Sequence, residues 1–213
     1  MSSTCRIVVL ISGSGSNLQA ILDASRENDY PARVVAVISN KPEAYGLQRA
    51  MSAGIPAKVI EYSSDTERET YDQALMQAID RYQPDLVVLA GFMRILSDVF
   101  VQHYANRLLN IHPSLLPKYK GLHTHQRVLD AGDTQHGASV HFVTPSLDDG
   151  PVILQSTIEV RPDDTAELLA KRVHQVEHKI YPLAIRWYAE GRLSLRDNNV
   201  YIDNIPVGWK QGT

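Results

Sequence analysis

Apolar residues in this chain fall into short unbroken runs separated by stretches of helical spacing, and that alternation predicts most of its elements. Residues 7–11 read Ile-Val-Val-Leu-Ile, a run too short for a helix and suited to a parallel strand covered on both faces. After the turn Ser12-Gly13-Ser14-Gly15-Ser16-Asn17, Leu18, Ile21 and Leu22 recur at helical spacing. A strand over 34–39 follows, then a helix carrying Leu47 and Ala50 up to Gly54, then a short strand around Val59 and Ile60. Ser64 and Glu67 have the spacing of a capping box, and Tyr71, Leu75, Ile79 and Tyr82 form the stripe of the next helix, which Pro84 ends. Residues 85–91 make a second buried strand and deliver the loop Phe92-Met93-Arg94-Ile95-Leu96. A short helix over 97–104 precedes a strand over 108–112. Strands alternating with helices imply right-handed crossovers and a doubly wound, Rossmann-like parallel sheet.

The pattern then changes. A helix over 125–131 closes at Gly132; residues 138–144 alternate, with Val140 and Phe142 on one face and His141 and Val143 on the other; and 152–160 makes a second long strand. These two should pair antiparallel across the turn-forming loop 145–151, which holds the adjacent carboxylates of Asp148 and Asp149. The longest helix starts after Thr165 and repeats Leu169, Val173, Val176, Ile180 and Trp187, with a kink expected at Pro182 and an end at Gly191. Glu177 lies beside that stripe, either half-buried towards the sheet edge or, the commoner outcome for such a residue, in a surface salt bridge. Residues 193–195 and 200–202 read as a hairpin around Asp197-Asn198-Asn199. With no repeat, low-complexity tract or linker, the expectation is one α/β domain over 1–213, with its core over 6–191. Its single doubly wound sheet has a parallel N-terminal part and antiparallel C-terminal strands.

Composition narrows the partners. Hydrophobic residues make up 44% and charged residues 21% of 213, ordinary for a globular protein, and the net charge of −3 supplies no general footprint for nucleic acid or an anionic membrane. No apolar run reaches the roughly 20 residues that span a bilayer, and Met1-Ser2-Ser3-Thr4 leads into the first strand without a signal-type apolar region. A cytoplasmic protein is expected. Cys5 is the sole cysteine, which rules out an intrachain disulfide and suits a small core residue.

Candidate chemistry gathers at predicted strand ends, where α/β enzymes keep their sites. Asn110-Ile111-His112-Pro113-Ser114 puts a carboxamide and an imidazole on one face of an extended segment, and Pro113 stops the strand there. Such a donor pair can hold a developing oxyanion; a turn-capping Asn and an ordinary histidine are the alternative. The glycine turn offers backbone N–H groups and a helix N-terminus to an anion, or serves only tight strand-to-helix packing. It departs from the dinucleotide fingerprint, because the third glycine falls at Leu18 and Asn40 stands where an acidic residue would meet a ribose. A single phosphate is favoured. Phe92, Met93, Ile95 and Leu96 are either core residues or the wall of a pocket for a flat aromatic ligand, with Arg94 solvated beside them. His123 and His125 lack the carboxylate or cysteine that would complete a zinc signature, so no metal is expected.

Taken together, Gly13-Ser14-Gly15-Ser16-Asn17, Phe92-Met93-Arg94-Ile95-Leu96, Asn110-Ile111-His112-Pro113-Ser114 and Leu147-Asp148-Asp149-Gly150-Pro151 resemble, in order and spacing, the phosphoribosylglycinamide formyltransferase family of folate-dependent transformylases. The resemblance runs from about Ile7 to Gly191. It implies a catalytic set of Asn110, His112 and Asp148; phosphate contacts from Gly15, Ser16 and Asn17; and Glu177 towards the acceptor's amine side. It also implies a pterin pocket using Met93, Arg94, Ile95, Leu96 and Val143, with Arg68 meeting the folate's glutamate tail. His174 stands where a relative has Gln. The implied co-substrates are 10-formyltetrahydrofolate and glycinamide ribonucleotide, without a metal and with a monomer or weak homodimer as the assembly. A methionyl-tRNA formyltransferase would be expected to carry a further basic RNA-binding domain, and a formyltetrahydrofolate hydrolase a regulatory domain ahead of the first strand. A binding module on the same fold would bind without turnover.

Overall fold

The apolar run at the head of the chain becomes the centre of a parallel sheet, as burial on both faces requires. In the computed structural model, which describes residues 4–63 and 66–207, β1 (Cys5–Ile11) lies between β2 (Ala32–Ser39) and β4 (Leu86–Leu89), with Val9 opposite both Val37 and Val88. β3 (Ala57–Val59) adds outside β2, and β5 (Leu108–His112) pairs with β4 through Leu108, Leu109 and Asn110. All these pairings are parallel, in the order β3-β2-β1-β4-β5. The strand order reverses between β1 and β4, so the loops leaving their C-terminal ends flank a topological switch point. The connections carry α1 (Ser16–Ala24), α2 (Tyr45–Ser52), α3 (Arg68–Asp80) and α4 (Asp98–His103). These elements, β5 as far as Asn110, belong to the first of two compact units into which the chain divides, Met1–Asn110 and Ile111–Thr213.

In the second unit, β6 (Gln135–Phe142) and β7 (Val152–Glu159) pair antiparallel, with a register shift between Val140 and His141. Every residue from His136 to Phe142 is buried, so the strand carries its polar His136, Ser139 and His141 inside. α5 (Thr124–Ala131) closes on Gly132 at φ 67, and α6 (Ala166–Ala189) packs against α5, β6 and β7. The Thr165 hydroxyl caps α6 by accepting from the Leu168 N–H at 3.2 Å. β8 (Leu193–Arg196), β9 (Asn199–Ile202) and β10 (Ile205–Pro206) form a small antiparallel sheet. Asp197 and Asn198, at φ 48 and 63, make the β8–β9 turn with two left-handed residues, the geometry whose twist matches a two-residue hairpin.

Three expectations change. The capping box fails on its described half: Glu67 is itself the N-cap of α3 and makes no side-chain cap bond, while Ser64 lies outside the described residues. The stripe of α6, which includes Pro182, is shifted: its buried residues are Leu169, Val173, Glu177, Ile180, Tyr181, Pro182, Ala184 and Ile185, leaving Val176 and Trp187 only half-buried. Glu177 therefore sits on the buried stripe itself, at 3% exposure, because it falls four residues after Val173 and three before Ile180. The hairpin after α6 also gains a third strand, β10.

Candidate active site

At the end of β1 the chain turns at Gly15, which is the N-cap of α1 in the left-handed conformation at φ 69. A Cβ there would stand 2.7 Å from the Cα of Gly46 in α2, so both the backbone angle and the close approach demand glycine. Ser16 and Asn17 begin the helix, whose first turn has no acidic residue, leaving the positive end of the dipole uncompensated by side chains. The Arg49 guanidinium donates to the Ser14 carbonyl (2.9 Å) and the Gln19 side chain (3.1 Å), adding positive charge beside the turn. Ser12, one residue past β1, donates to Asn40 Oδ1 (2.6 Å) and accepts from the Met93 N–H (2.8 Å), so it ties the end of β1 to the loop after β4.

That loop splits its apolar residues between two environments. Phe92 and Leu96 are buried, whereas Met93 and Ile95 are 65% and 56% exposed. Alternation in an extended segment explains the split, and it leaves two apolar side chains facing outward. Arg94, expected in solvent, is half-buried with its guanidinium 3.3 Å from the Tyr62 ring centre and 4.6 Å from that of Tyr71. Arg68 opens α3 at the surface and, with Glu69, Ser97, Asp98 and Val99, lines a hollow of about 490 Å³. Asp72, fully buried in α3, accepts from the Ser97 N–H at 2.6 Å and so sets where α4 begins.

In the second unit both ring nitrogens of His112 face acceptors. Nδ1 lies 3.3 Å from Asp148 Oδ2, and Nε2 lies 2.9 Å from the Tyr119 carbonyl. A ring with a proton on each nitrogen donates to both at once. The two side chains are 7% and 9% exposed, so their attraction is little weakened by water. Asp148 is held from other sides as well: Gly121 N–H donates to Oδ2 (2.9 Å), His141 Nε2 is 3.8 Å from Oδ1, and its own backbone is left-handed at φ 48. Burial holds the His141 imidazole well below its usual range, against the pull of Asp148. Gly150 allows this loop to turn, since a Cβ there would overlap the Phe142 carbonyl at 1.7 Å. Asn110, two residues before His112 on β5, is half-exposed, and Val143 is half-buried just past β6.

His125 Nδ1 and His136 Nε2 stand 3.0 Å apart, and both imidazoles are pushed down to about 4, first by burial and then by neighbouring histidines. Among the described residues no group of three His, Cys, Asp or Glu side chains is placed to hold a metal ion. His174 is exposed and stacked near His178, with ring centres 6.2 Å apart.

Of the residues singled out from sequence, the second unit brings His112 and Asp148 together, and the first unit orders Gly15, Ser16 and Asn17 at one helix start and positions 93–96 in one loop. Sequence reasoning missed Ser12, Tyr62, Asp72, Tyr119, Gly121 and His141. Asp72 had a signal, a carboxylate adjoining Tyr71 on the apolar side of a helix. Tyr119 and Gly121 act through their backbones and had none.

A family model described as formyl transferase matches residues 5–185. The phosphoribosylglycinamide formyltransferase of Escherichia coli (strain K12) is 57% identical over 197 residues, covering 92% of this chain and 93% of that protein. The enzyme of the same name from Haemophilus influenzae is 48% identical over 198 residues, covering 93% of each. Among solved structures, the phosphoribosylglycinamide formyltransferase from Coxiella burnetii superposes with a TM-score of 0.91 at 50% identity, covering 96% of both chains. Glycinamide ribonucleotide transformylase 1 from Symbiobacterium toebii does so with a TM-score of 0.92 at 46% identity, covering 95% of both. With a family match across most of its length and relatives this similar over nearly the whole of both chains, this chain belongs to the formyl transferase family.

Proposed function

We propose that this chain transfers the formyl group of 10-formyltetrahydrofolate to the amine of glycinamide ribonucleotide, a step of de novo purine biosynthesis, acting as one formyltransferase domain in the cytoplasm as a monomer or weak homodimer. The acceptor is supported by the names of relatives 57% and 48% identical over almost their whole length. The chemistry is carried by one observation: a buried imidazole, His112, whose two nitrogens face a carboxylate and a carbonyl.

The acceptor amine is the nucleophile, so no enzyme-bound acyl intermediate is needed. Its nitrogen lone pair forms a bond to the formyl carbon, and the carbonyl electrons move onto oxygen, giving a tetrahedral oxyanion and an ammonium. Asn110 donates a neutral hydrogen bond to that oxygen, and the His112 Nε2–H, shared in a three-centre bond with the Tyr119 carbonyl, donates a charged one. The ammonium proton leaves as the bond from the formyl carbon to the folate nitrogen breaks, and the folate nitrogen gains a proton; His112, backed by Asp148, mediates this transfer. The products are the formamide and tetrahydrofolate, and the step requires no metal. Amides at Gly15, Ser16 and Asn17 bind the ribonucleotide phosphate, and Glu177 meets the amine side. Met93, Arg94, Ile95, Leu96 and Val143 hold the pterin, and Arg68 meets the glutamate tail. Arg94 is already immobilised between two tyrosine rings, which lowers the ordering cost of that contact.

The test follows 10-formyltetrahydrofolate with and without glycinamide ribonucleotide. Loss of formylfolate only when the acceptor is present, with formylated ribonucleotide formed in equal amount and no response to chelators, is the expected result. Equal loss without the acceptor makes the enzyme a hydrolase, and binding without turnover makes it a binding module.

A further inference from the structure

We infer that Asp133, in the turn behind α5, is a positioning residue for formyl transfer: it anchors the strap 118–121, whose backbone holds both His112 and Asp148. The inference rests on the reaction proposed above. Within the strap, the Tyr119 carbonyl meets His112 Nε2 at 2.9 Å, and two residues later the Gly121 N–H donates to Asp148 Oδ2 at 2.9 Å. The Lys120 ammonium between them pairs with Asp149, next to Asp148 in sequence. The reacting pair is thus gripped at both ends by two residues of one short segment. Any shift of the strap moves two hydrogen bonds of the pair together.

At its head the strap is tied to the turn before it: the Ser114 hydroxyl donates to the Lys118 carbonyl at 2.6 Å, and the Lys118 N–H donates to the Leu115 carbonyl at 3.1 Å. Tyr119 and Gly121 are both left-handed, at φ 56 and 79, so local helix or strand pairing does not define its path. Past Lys118, side chains define it. The Tyr119 hydroxyl donates to Asp133 Oδ2 at 2.8 Å, and the Lys118 ammonium reaches the same oxygen at 2.9 Å. Arg127 of α5 donates to the Lys120 carbonyl at 2.6 Å and lies over the Tyr119 ring at 5.4 Å. Asp133 is therefore the acceptor that two successive strap side chains share, and it follows Gly132, the C-cap of α5, which fixes it to the helix end. Lys118 is 65% and Asp133 29% exposed, so the ion pair contributes little to stability. Its value is geometric.

The experiment compares wild type, Asp133→Ala, Asp133→Asn, Tyr119→Phe and Asp148→Asn, and the double variant of Asp133→Ala with Asp148→Asn. We expect Asp133→Ala to lower kcat by about ten- to a hundredfold, the scale set by misplacing a catalytic group by a fraction of an ångström to an ångström. Both KM values and the melting temperature should stay close to wild type. Asp133→Asn, which keeps an acceptor for the tyrosine hydroxyl, should recover most of the loss. Tyr119→Phe, which keeps the carbonyl that meets His112, should reproduce part of it. In the Asp148→Asn background Asp133→Ala should cost little more, because the pair it positions is already broken. The imidazole nitrogen resonances of His112 should move in Asp133→Ala. Unchanged kcat, a loss confined to KM, clean multiplication with Asp148→Asn, or an unmoved His112 signal overturns the role. Absence of transfer by the wild type overturns the reaction itself, so the two failures are separable.

Discussion

His112 and Asp148 are where one side chain should change rate most and structure least. Asp148→Asn removes the charge but leaves an oxygen for the Gly121 N–H, and Asn is among the residues that tolerate the left-handed backbone of this position. Its kcat should fall by about 10² to 10⁴, as loss of a positioned proton-transfer group does, with folate binding nearly intact. His112→Ala should fall in the same range or below it. Because the two side chains act through one contact, the double variant should be little worse than the more damaged single one. Steady-state kcat with a thermal melt on each variant checks this. A wild-type kcat in Asp148→Asn would return the loop to a purely turn-forming role. His112 was recognisable as a candidate because a histidine before a proline at a strand end is conspicuous in sequence. The second acceptor on its ring was not recognisable, since a carbonyl of Tyr119 has no residue signature.

The start of α1 makes its prediction at the level of the element. Gly15 is required by its φ of 69 and by the 2.7 Å approach to Gly46, so replacing it perturbs α1 and α2 whether or not a phosphate binds. Gly15→Ala should lower the melting temperature, while Gly13→Ala, whose Cβ meets nothing within 4 Å, should leave it nearly unchanged. Ser16→Asp separates the structural reading from the binding one. A carboxylate in a first turn that has none stabilises the helix by roughly 0.3–1 kcal/mol through the dipole. The same charge repels a bound phosphate. We expect an equal or higher melting temperature together with a raised KM for the ribonucleotide and an unchanged folate KM. An unchanged ribonucleotide KM would leave the glycine turn with packing as its only role.

Over the whole molecule, the buried histidines set the acid limit of stability. His125 and His136 are held at about 4 in the folded chain, against 6.5 for a free imidazole. Between those values the unfolded chain binds protons that the folded chain refuses, so stability rises with pH. It is complete above about 6.5 and is lost as pH falls towards 4, by on the order of a few kcal/mol, less for the partly exposed His125 than for the buried His136. Denaturant melts at pH 7.5, 6 and 4.5 should show this decline, and His136→Gln should flatten it. An equally steep decline in the variant would assign the acid sensitivity to other groups.

What the sequence alone determined is what local spacing and residue chemistry determine. The runs at 7–11 and 85–91 had to be interior strands, because an unbroken apolar run is stable only when covered on both faces. Helical spacing after Thr165 had to be a helix, and Asp197-Asn198 had to be a tight turn, because these two residues accept left-handed backbone. The candidate chemistry was legible wherever a rare polar residue stood at a strand end, as at Asn110 and His112. The tertiary structure decided which groups meet. Ser12 reaches the Met93 amide across 81 positions of chain, and Asp72 reaches Ser97 across 25. Glu177 went to the buried stripe of α6 and Arg94 between two rings, outcomes that depend on which neighbours arrive from distant segments. Periodicity carries the cost of exposing an apolar side chain and is therefore readable along the chain. A hydrogen bond between distant groups depends on their separation in space, to within tenths of an ångström, and only the folded backbone sets that.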